Sequence, residues 1–154
     1  MLRLLTCLGA VCVLAAGAGF GLAASGSPSE RAAVSQPIPA RMLGPDVPVP
    51  ISPAILRVRN GWLVSDGRTL VAVYAGAAGN DSSVGRLVIV RQDLVAGTQT
   101  VRTVDAGPTG ALAIAAAPLG TTVETSAQAG SILVKPAVGR ALRLDLGTGR
   151  VGSR

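Results

Sequence analysis

Hydrophobic and polar residues follow a two-residue period through most of the chain after residue 54. The periodic runs are short, and turn residues separate them every eight to twelve positions. This pattern is typical of β-strands joined by turns, and no run has the 3.6-residue period of an amphipathic helix. The strands predicted in this way are Ile55–Asn60, Trp62–Ser65, Arg68–Ala75, Arg86–Leu94, Thr98–Asp105, Ala111–Ala116, Thr122–Ala127, Ser131–Lys135 and Arg140–Leu146.

Local signals support this prediction. Asp66-Gly67 indicates a hairpin, because glycine takes the positive φ that a tight turn between strands needs. The run Leu87–Val90 is apolar on both faces, as expected of a central strand that is covered on both sides. In Arg140–Leu146 leucines alternate with polar residues, which predicts one buried and one exposed face. Gly76–Gly85 is predicted to be a loop.

The number and length of these runs predict an all-β domain in residues 54–147, followed by a polar tail in residues 148–154. Eight or nine short strands fit an antiparallel sandwich or jelly roll, or a small barrel. The strand count alone does not separate these architectures. No repeat of fixed length supports a β-helix.

The first residues have a different pattern, in which Arg3 is followed by uncharged and mostly apolar residues from Leu4 to Ala24. A basic start and an apolar stretch that ends in small residues are typical of a secretory signal peptide. Cleavage after Ala24 and cleavage after Ser25 fit about equally well. Because 21 residues can also cross a bilayer of ~30 Å, an uncleaved anchor is the alternative. The sequence thus predicts a secreted or cell-envelope protein, with membrane contact only through residues 4–24 if the signal is retained.

Residues 25–53 are rich in proline, serine and alanine. Proline has no amide hydrogen and restricts the residue before it to extended conformations, so regular sheet or helix is not expected here. We interpret the segment as a flexible linker between the signal peptide and the β-domain. Its prolines are Pro28, Pro37, Pro39, Pro45, Pro48, Pro50 and Pro53.

The composition removes several classes of chemistry. The chain has no histidine, and both of its cysteines, Cys7 and Cys12, lie in the predicted signal peptide. The mature protein therefore lacks the commonest general base, a thiol nucleophile and the common zinc ligands. These absences exclude Ser-His-Asp, Cys-His and zinc-dependent hydrolases, and we expect no cofactor, no metal and no disulfide.

The chain carries a net charge of +6, and Lys135 is its only lysine. The arginines are spread along the sequence and interleaved with acidic residues, without a basic run. Nucleic-acid binding needs clustered cations and stacking aromatic side chains, and this sequence has neither. The composition resembles that of small exported proteins of bacteria with GC-rich genomes, which is a resemblance of composition and not of motif.

Carboxylates and one polar loop are the remaining candidates for chemistry. Asp93, Asp105 and Glu124 lie on predicted strands or at their ends, and two of them facing each other could support glycoside hydrolysis. Residues 80–83 offer oxygen atoms for a hard cation such as calcium, but they lack the spacing of a calcium-binding loop. Such side chains are more often turn residues, so we predict no catalytic and no metal-binding residue.

Trp62 and Tyr74 are the aromatic residues that remain outside the predicted signal peptide. An aromatic side chain of this kind is either an anchor of the core or an exposed contact, so both residues are candidate contacts for a ligand or partner. The sequence as a whole predicts an exported, non-enzymatic β-domain that serves as a structural or interaction module, with an unknown protein or an envelope or matrix component as its partner. The alternatives are a small-ligand or glycan-binding module that uses Trp62 and Tyr74, and a carboxylate-based hydrolase.

Overall fold

The structure is a computed structural model that describes residues 36–120 and 130–153. The predicted signal peptide in residues 1–24, the first part of the predicted linker, the predicted strand Thr122–Ala127 and the candidate carboxylate Glu124 lie outside these residues. The described part consists of β-strands, turns and irregular connections without an α-helix, so it holds no helix that is long and apolar enough to cross a membrane.

Nine β-strands in the described residues form two antiparallel sheets, which confirms the all-β prediction. In both sheets the strand order follows the chain order, so neighbours along the chain are neighbours in the sheet. The first sheet contains β1 Ile38–Leu43, β2 Leu56–Ser65, β3 Thr69–Ala78, β4 Gly85–Asp93 and β5 Thr98–Asp105. The second sheet contains β6 Leu112–Ala116, β7 Ser131–Pro136, β8 Leu142–Asp145 and β9 Val151–Ser153.

One hydrophobic core lies between the two sheets. Trp62 is its largest side chain, and the rest is aliphatic, as the scarcity of aromatic residues requires. In β8 the predicted alternation is present, since Leu144 is buried while Arg143 and Asp145 are exposed. The buried members of this core are Ala40, Trp62, Val64, Val71, Val73, Ala75, Leu87, Ile89, Leu112, Ile114, Ile132, Val134, Leu144 and Leu146.

A β-bulge in β2 decides which residues of that strand face this core. The pairing of β2 with β3 shifts by one residue between Val58 and Asn60. Since side chains alternate between the two faces of a strand, one extra residue moves all later residues to the opposite face. Leu56 and Val58 therefore pack on the outer face of the first sheet, whereas Trp62 and Val64 face the second sheet.

A second hydrophobic cluster lies on the outer face of the first sheet. Val49 and Ile51, from the connection between β1 and β2, pack against it. The inner strands β3 and β4 of the first sheet are therefore buried on both faces, as the apolar run Leu87–Val90 predicts. The buried members of this cluster are Leu43, Leu56, Ala72, Tyr74, Val88 and Val90.

The structure differs from the sequence prediction at the two ends of the β-domain. β1 lies within residues 25–53, where no regular sheet is predicted, and β9 lies within the predicted polar tail. β1 accommodates Pro39 because it is the outermost strand of its sheet and its pairing is irregular between Ile38 and Arg41. A proline is tolerated there, since no further strand needs its amide. The prediction of no regular structure is wrong for Ile38–Leu43.

The boundaries of β2 and β3 also differ from the prediction. β2 runs without a break through Asn60, where the sequence indicates the end of one strand and the start of another. β3 continues to Ala78 and so shortens the predicted loop Gly76–Gly85. The predicted hairpin between the two strands is present, with Gly67 at a φ of 88°.

Candidate functional site

The two candidate aromatic contacts are buried on opposite faces of the first sheet. Trp62 lies between the sheets with none of its surface exposed, and its Nε1 donates a hydrogen bond of 2.7 Å to the carbonyl oxygen of Pro118. Tyr74 belongs to the outer cluster and is 6% exposed, and burial raises the pKa of its hydroxyl. The two rings therefore form no common site, and neither presents a face to a glycan.

The candidate carboxylates within the described residues do not converge. Asp93 accepts hydrogen bonds of 2.9 and 2.8 Å from the amides of Val95 and Ala96 in the turn after β4. Asp105 accepts two hydrogen bonds of 2.6 and 2.9 Å from Arg86, which lower the pKa of Asp105. The two acids lie at opposite ends of the β4–β5 ladder, roughly 20 Å apart at ~3.3 Å per residue. Two catalytic carboxylates of a glycosidase lie within about 10 Å of each other.

The polar loop at residues 80–83 has the geometry of a turn. The carboxylate of Asp81 accepts hydrogen bonds of 2.6 and 2.9 Å from the hydroxyl and the amide of Ser83, and these bonds lower the pKa of Asp81. Over residues 36–120 and 130–153, no group of three or more acidic, histidine or cysteine side chains could hold a metal ion. Lys135 is exposed near the end of β7.

The side chain of Asn60, which belongs to no sequence motif, connects the two sheets by hydrogen bonds. Asn60 of β2 donates from Nδ2 to the carbonyl oxygen of Ile114 at 2.9 Å and accepts the amide of Ile114 on Oδ1 at 2.8 Å. Ile114 lies on β6, which is the first strand of the second sheet. The side chain of Asn60 therefore occupies the place of a neighbouring strand beside β6.

The two sheets have four terminal strands, and three of them carry features that oppose pairing with another chain. β1 contains Pro39 and an irregular register. β6 is held by Asn60 and has a register shift between Ile114 and Ala116. β9 is three residues long. Proline, bulges, covering groups and short length are means by which proteins block strand addition at sheet edges.

In the described part of the chain, β5 is the terminal strand without a proline, a register shift, a covering side chain or a short length, and its charged residues are Arg102 and Asp105. It is eight residues long and pairs with β4 in an unbroken register from Thr98 to Asp105. All of its residues except the partly buried Val104 are exposed, and Val101 is 55% exposed. Its threonine and valine residues favour the extended conformation. β5 is thus a long and regular sheet edge that no strand among residues 36–120 and 130–153 covers.

The backbone of β5 presents hydrogen-bonding groups to solvent at every second residue. Just beyond the strand, the amide of Ala106 donates to the carbonyl oxygen of Gly85 on the β4 side at 2.8 Å. In an antiparallel ladder the direction of these groups alternates along the strand. The amides and carbonyls of Gln99, Val101 and Thr103 therefore point away from β4, toward the open side of the sheet.

A groove of about 490 Å³ lies between β5 and β9. Arg102 and Val104 line it on the β5 side, and Arg150 and Val151 line it on the β9 side. Arg102 donates a hydrogen bond of 2.8 Å from Nη1 to the carbonyl oxygen of Thr148 in the turn between β8 and β9. The groove therefore lies beside the open edge of the first sheet, and both charged and apolar side chains line it.

The lining of this groove is more cationic than anionic. It includes Arg102, Arg150 and one acid, Asp105, which is already paired with Arg86. A second cavity of about 140 Å³ shares Arg102 with the groove and adds Arg91 to the lining. The chemistry that fits this arrangement is the binding of an anionic group beside an extended backbone.

Comparisons with protein-family models, with curated protein sequences and with solved structures found no match to this chain. Among the described residues, the edge of β5 and the groove beside it are the candidate site for an interaction.

Proposed function

We propose that the protein is an exported, non-enzymatic interaction module that binds an extended segment of a protein partner at β5. In this proposal the two sheets form a β-sandwich that holds β5 rigid and accessible. The partner segment adds to the first sheet as a further strand. In complexes of this kind backbone hydrogen bonds supply the affinity, and pockets beside the strand supply the specificity.

The observation that carries the proposal is the contrast between β5 and the other terminal strands. An open sheet edge favours aggregation, and proteins therefore block their edges. Here a proline, register shifts, a covering side chain and short length occur on β1, β6 and β9, whereas the longest of the four edges has a regular ladder and exposed side chains. We therefore expect that this edge is open because a partner binds to it.

The proposed export and the proposed non-enzymatic role have support of their own. The basic residue Arg3 and the apolar residues 4–24 support export, with either a cleaved signal or a retained anchor. A chain with no histidine, and with no cysteine after residue 24, supports binding rather than catalysis. The separation of Asp93 from Asp105 supports the same role.

Peptide binding to the protein with its β5 edge open, compared with binding to a variant with that edge blocked, tests this proposal. Val101→Pro removes an outward amide of β5 but no hydrogen bond between β4 and β5, so we expect the variant to fold and its edge to be blocked. Short random peptides displayed on phage are selected on the wild-type protein and then assayed on both proteins. The selected peptides should bind the wild type at least about tenfold more tightly than Val101→Pro.

Val101→Thr is the matched control, because it changes the same side chain and keeps the amide. The selected peptides should bind this variant as they bind the wild type. Thermal unfolding establishes that the variants are folded, and Thr103→Pro provides the same test at the next outward amide if Val101→Pro does not fold. Peptides that bind all the variants equally, or a selection that yields no binder, would contradict strand addition at β5.

A further inference from the structure

We infer that the segment accepted by β5 is acidic, with carboxylates at every second residue directed toward the groove between β5 and β9. This inference rests on the proposed strand addition and specifies the chemistry of the partner. Its basis is the position of Arg102 and Arg150 relative to the open edge.

An added strand would direct half of its side chains toward the groove. Residues of β5 alternate between an inner face, where Val104 packs against the core, and an outer face, where Asp105 meets Arg86. Arg102 lies on the inner face, two residues from Val104. A strand paired with β5 continues this alternation about 4.8 Å further out. Its inner side chains therefore come close to the guanidinium groups of the groove.

The cations of the groove are available for a carboxylate. The structure shows one ion pair among the described residues, between Arg86 and Asp105, and it does not involve the arginines of the groove. Arg102 donates to the carbonyl oxygen of Thr148, and Arg150 is exposed. A guanidinium has five N–H donors in a planar fork, so Arg102 can bind a carboxylate while it keeps its bond to Thr148.

The turn between β8 and β9 holds Arg102 in place. Gly149 has a φ of 64°, and a β-carbon at this residue would lie 2.5 Å from Nη1 of Arg102. Asp145 closes the turn by accepting hydrogen bonds of 2.7 Å from both the amide and the hydroxyl of Thr148. Because the guanidinium is already oriented, less conformational entropy is lost when it binds a carboxylate.

Arg102 also disfavours a second copy of this chain as the occupant. Two β5 strands related by a two-fold axis pair residues that lie on the same face of the sheet. The registers that pair most of the strand are centred on Val101, Arg102 or Thr103. Each of them places the two Arg102 side chains opposite or diagonal to each other, where like charges repel. An acidic segment meets the same side chain with attraction.

Synthetic peptides and the purified protein test the inference by fluorescence anisotropy. The first peptide alternates valine with glutamate, the second alternates valine with lysine, and the third is the glutamate peptide with alternate backbone amides methylated. The glutamate peptide should bind at least about tenfold more tightly than the lysine peptide, and methylation should abolish its binding. Added salt should weaken the binding, because exposed charges are screened.

Removal of single charges locates the acidic preference. Arg102→Gln and Arg150→Gln should each weaken binding of the glutamate peptide about threefold to tenfold, since each removes one exposed cation of the groove. Arg140→Gln is the matched control, because Arg140 is an exposed residue between β7 and β8 and does not line the groove. This variant should bind the glutamate peptide as the wild type does.

The possible results separate the two proposals. Equal binding of the glutamate and lysine peptides, or no binding of the glutamate peptide, overturns the acidic preference, while the phage-selected peptides still decide strand addition. Binding of the glutamate peptide that survives both backbone methylation and Val101→Pro is adsorption to surface charge and also overturns the acidic preference. Dimerisation of the wild type that Val101→Pro abolishes, measured by analytical ultracentrifugation, would assign the edge to a second copy.

Discussion

At the scale of single residues, the side chain of Asn60 makes two hydrogen bonds between the sheets. These bonds replace the backbone hydrogen bonds that a neighbouring strand would make to β6. A carboxamide carries a donor and an acceptor side by side, as a peptide group does. Asn60 uses both on the backbone of Ile114. Without Asn60 this amide and carbonyl would lie unpaired and partly buried at the edge of β6, which is unfavourable for any backbone group.

Asn60→Ala should lower the free energy of unfolding by about 2 kcal/mol, because two backbone groups lose their partner. Asn60→Asp should cost a similar amount, since a carboxylate accepts the amide of Ile114 but repels its carbonyl oxygen. Urea denaturation measures both effects. The matched control is Asn80→Ala at an exposed loop residue, which should change stability by less than about 0.5 kcal/mol. Equal losses for the two alanine variants would contradict the role of Asn60.

Sequence reasoning reaches these residues to different degrees. Trp62 is a core anchor in the structure, which is one of the two roles that the sequence permits for a large aromatic residue. The role of Asn60 is not predictable, because its partner lies 54 residues away. An asparagine at this position could equally indicate a turn. The bulge before Asn60 adds to the difficulty, since it inverts the face assignment that strict alternation gives for the rest of β2.

Trp62 should report its own burial by fluorescence, because it is the only tryptophan of the chain. Its emission in the folded protein should be blue-shifted relative to the protein in urea, and iodide should quench it poorly, since none of its surface is exposed. Addition of soluble glycans should leave the spectrum unchanged. Strong quenching by iodide, or a saturable spectral change with a glycan, would favour a ligand-binding role for this ring.

At the scale of the elements, the bulge of β2 brings its backbone close to β3. A β-carbon added to Gly76 of β3 would overlap the carbonyl oxygen of Arg57. Backbone atoms cannot move aside as the end of a side chain can, so the bulge and this glycine depend on each other. Because of the bulge, the apolar side chains in the first half of β2 lie on the outer face of the sheet, and those in the second half lie in the core between the sheets.

Gly76→Ala should therefore lower the free energy of unfolding by about 2 kcal/mol or more, in the range that overpacking a close contact costs. Gly44→Ala is the control, because a β-carbon at Gly44 meets no atom within 4 Å. This variant should be as stable as the wild type or slightly more stable, since alanine restricts the unfolded chain. Chemical denaturation of both variants measures the difference, and equal stabilities would contradict the close approach at Gly76.

Hydrogen exchange in β5 should alternate along the strand. The amides of Thr100, Arg102 and Val104 point toward β4 and should exchange slowly, whereas the outward amides of Gln99, Val101 and Thr103 should exchange fast. Residue-resolved NMR exchange in the free protein measures the pattern. Bound glutamate peptide should slow the outward amides specifically. Uniformly slow exchange in the free protein would mean that this edge is already covered.

Strand identity was accessible from the sequence, whereas strand position was not. The boundaries of β5 agree with the predicted strand Thr98–Asp105, because its threonine and valine residues favour an extended chain. Its place at the edge of a sheet depends on which strands pair, and alternation of polarity carries no information on pairing order. β1 is not predictable for the same reason, since Pro39 excludes a central strand but not an edge strand.

At the scale of the whole molecule, the charged groups that hold the turns respond to acid. Several aspartates accept hydrogen bonds in their charged form, and this lowers their pKa values below the ordinary value of 3.8. The principal donors are the amide of Thr69 for Asp66, the hydroxyl of Ser83 for Asp81, the guanidinium of Arg86 for Asp105 and the amide of Thr148 for Asp145. Asp66, Asp81 and Asp145 therefore link turns of both sheets to pH, and Asp105 links the pairing of β4 with β5 to pH.

The free energy of unfolding should be constant between about pH 5 and about pH 8 and should fall as the pH is lowered further toward about 2. Because these carboxyl groups have lower pKa values in the folded protein, the unfolded chain binds more protons in acid, and their stabilisation is lost as the pH falls through the folded values. No histidine is present to add a transition near neutral pH. Urea denaturation across this range measures the profile. Asp66→Asn should flatten the acid limb and Asn80→Ala should leave it unchanged, whereas a stability that stays constant down to about pH 2 would contradict the role of these turns.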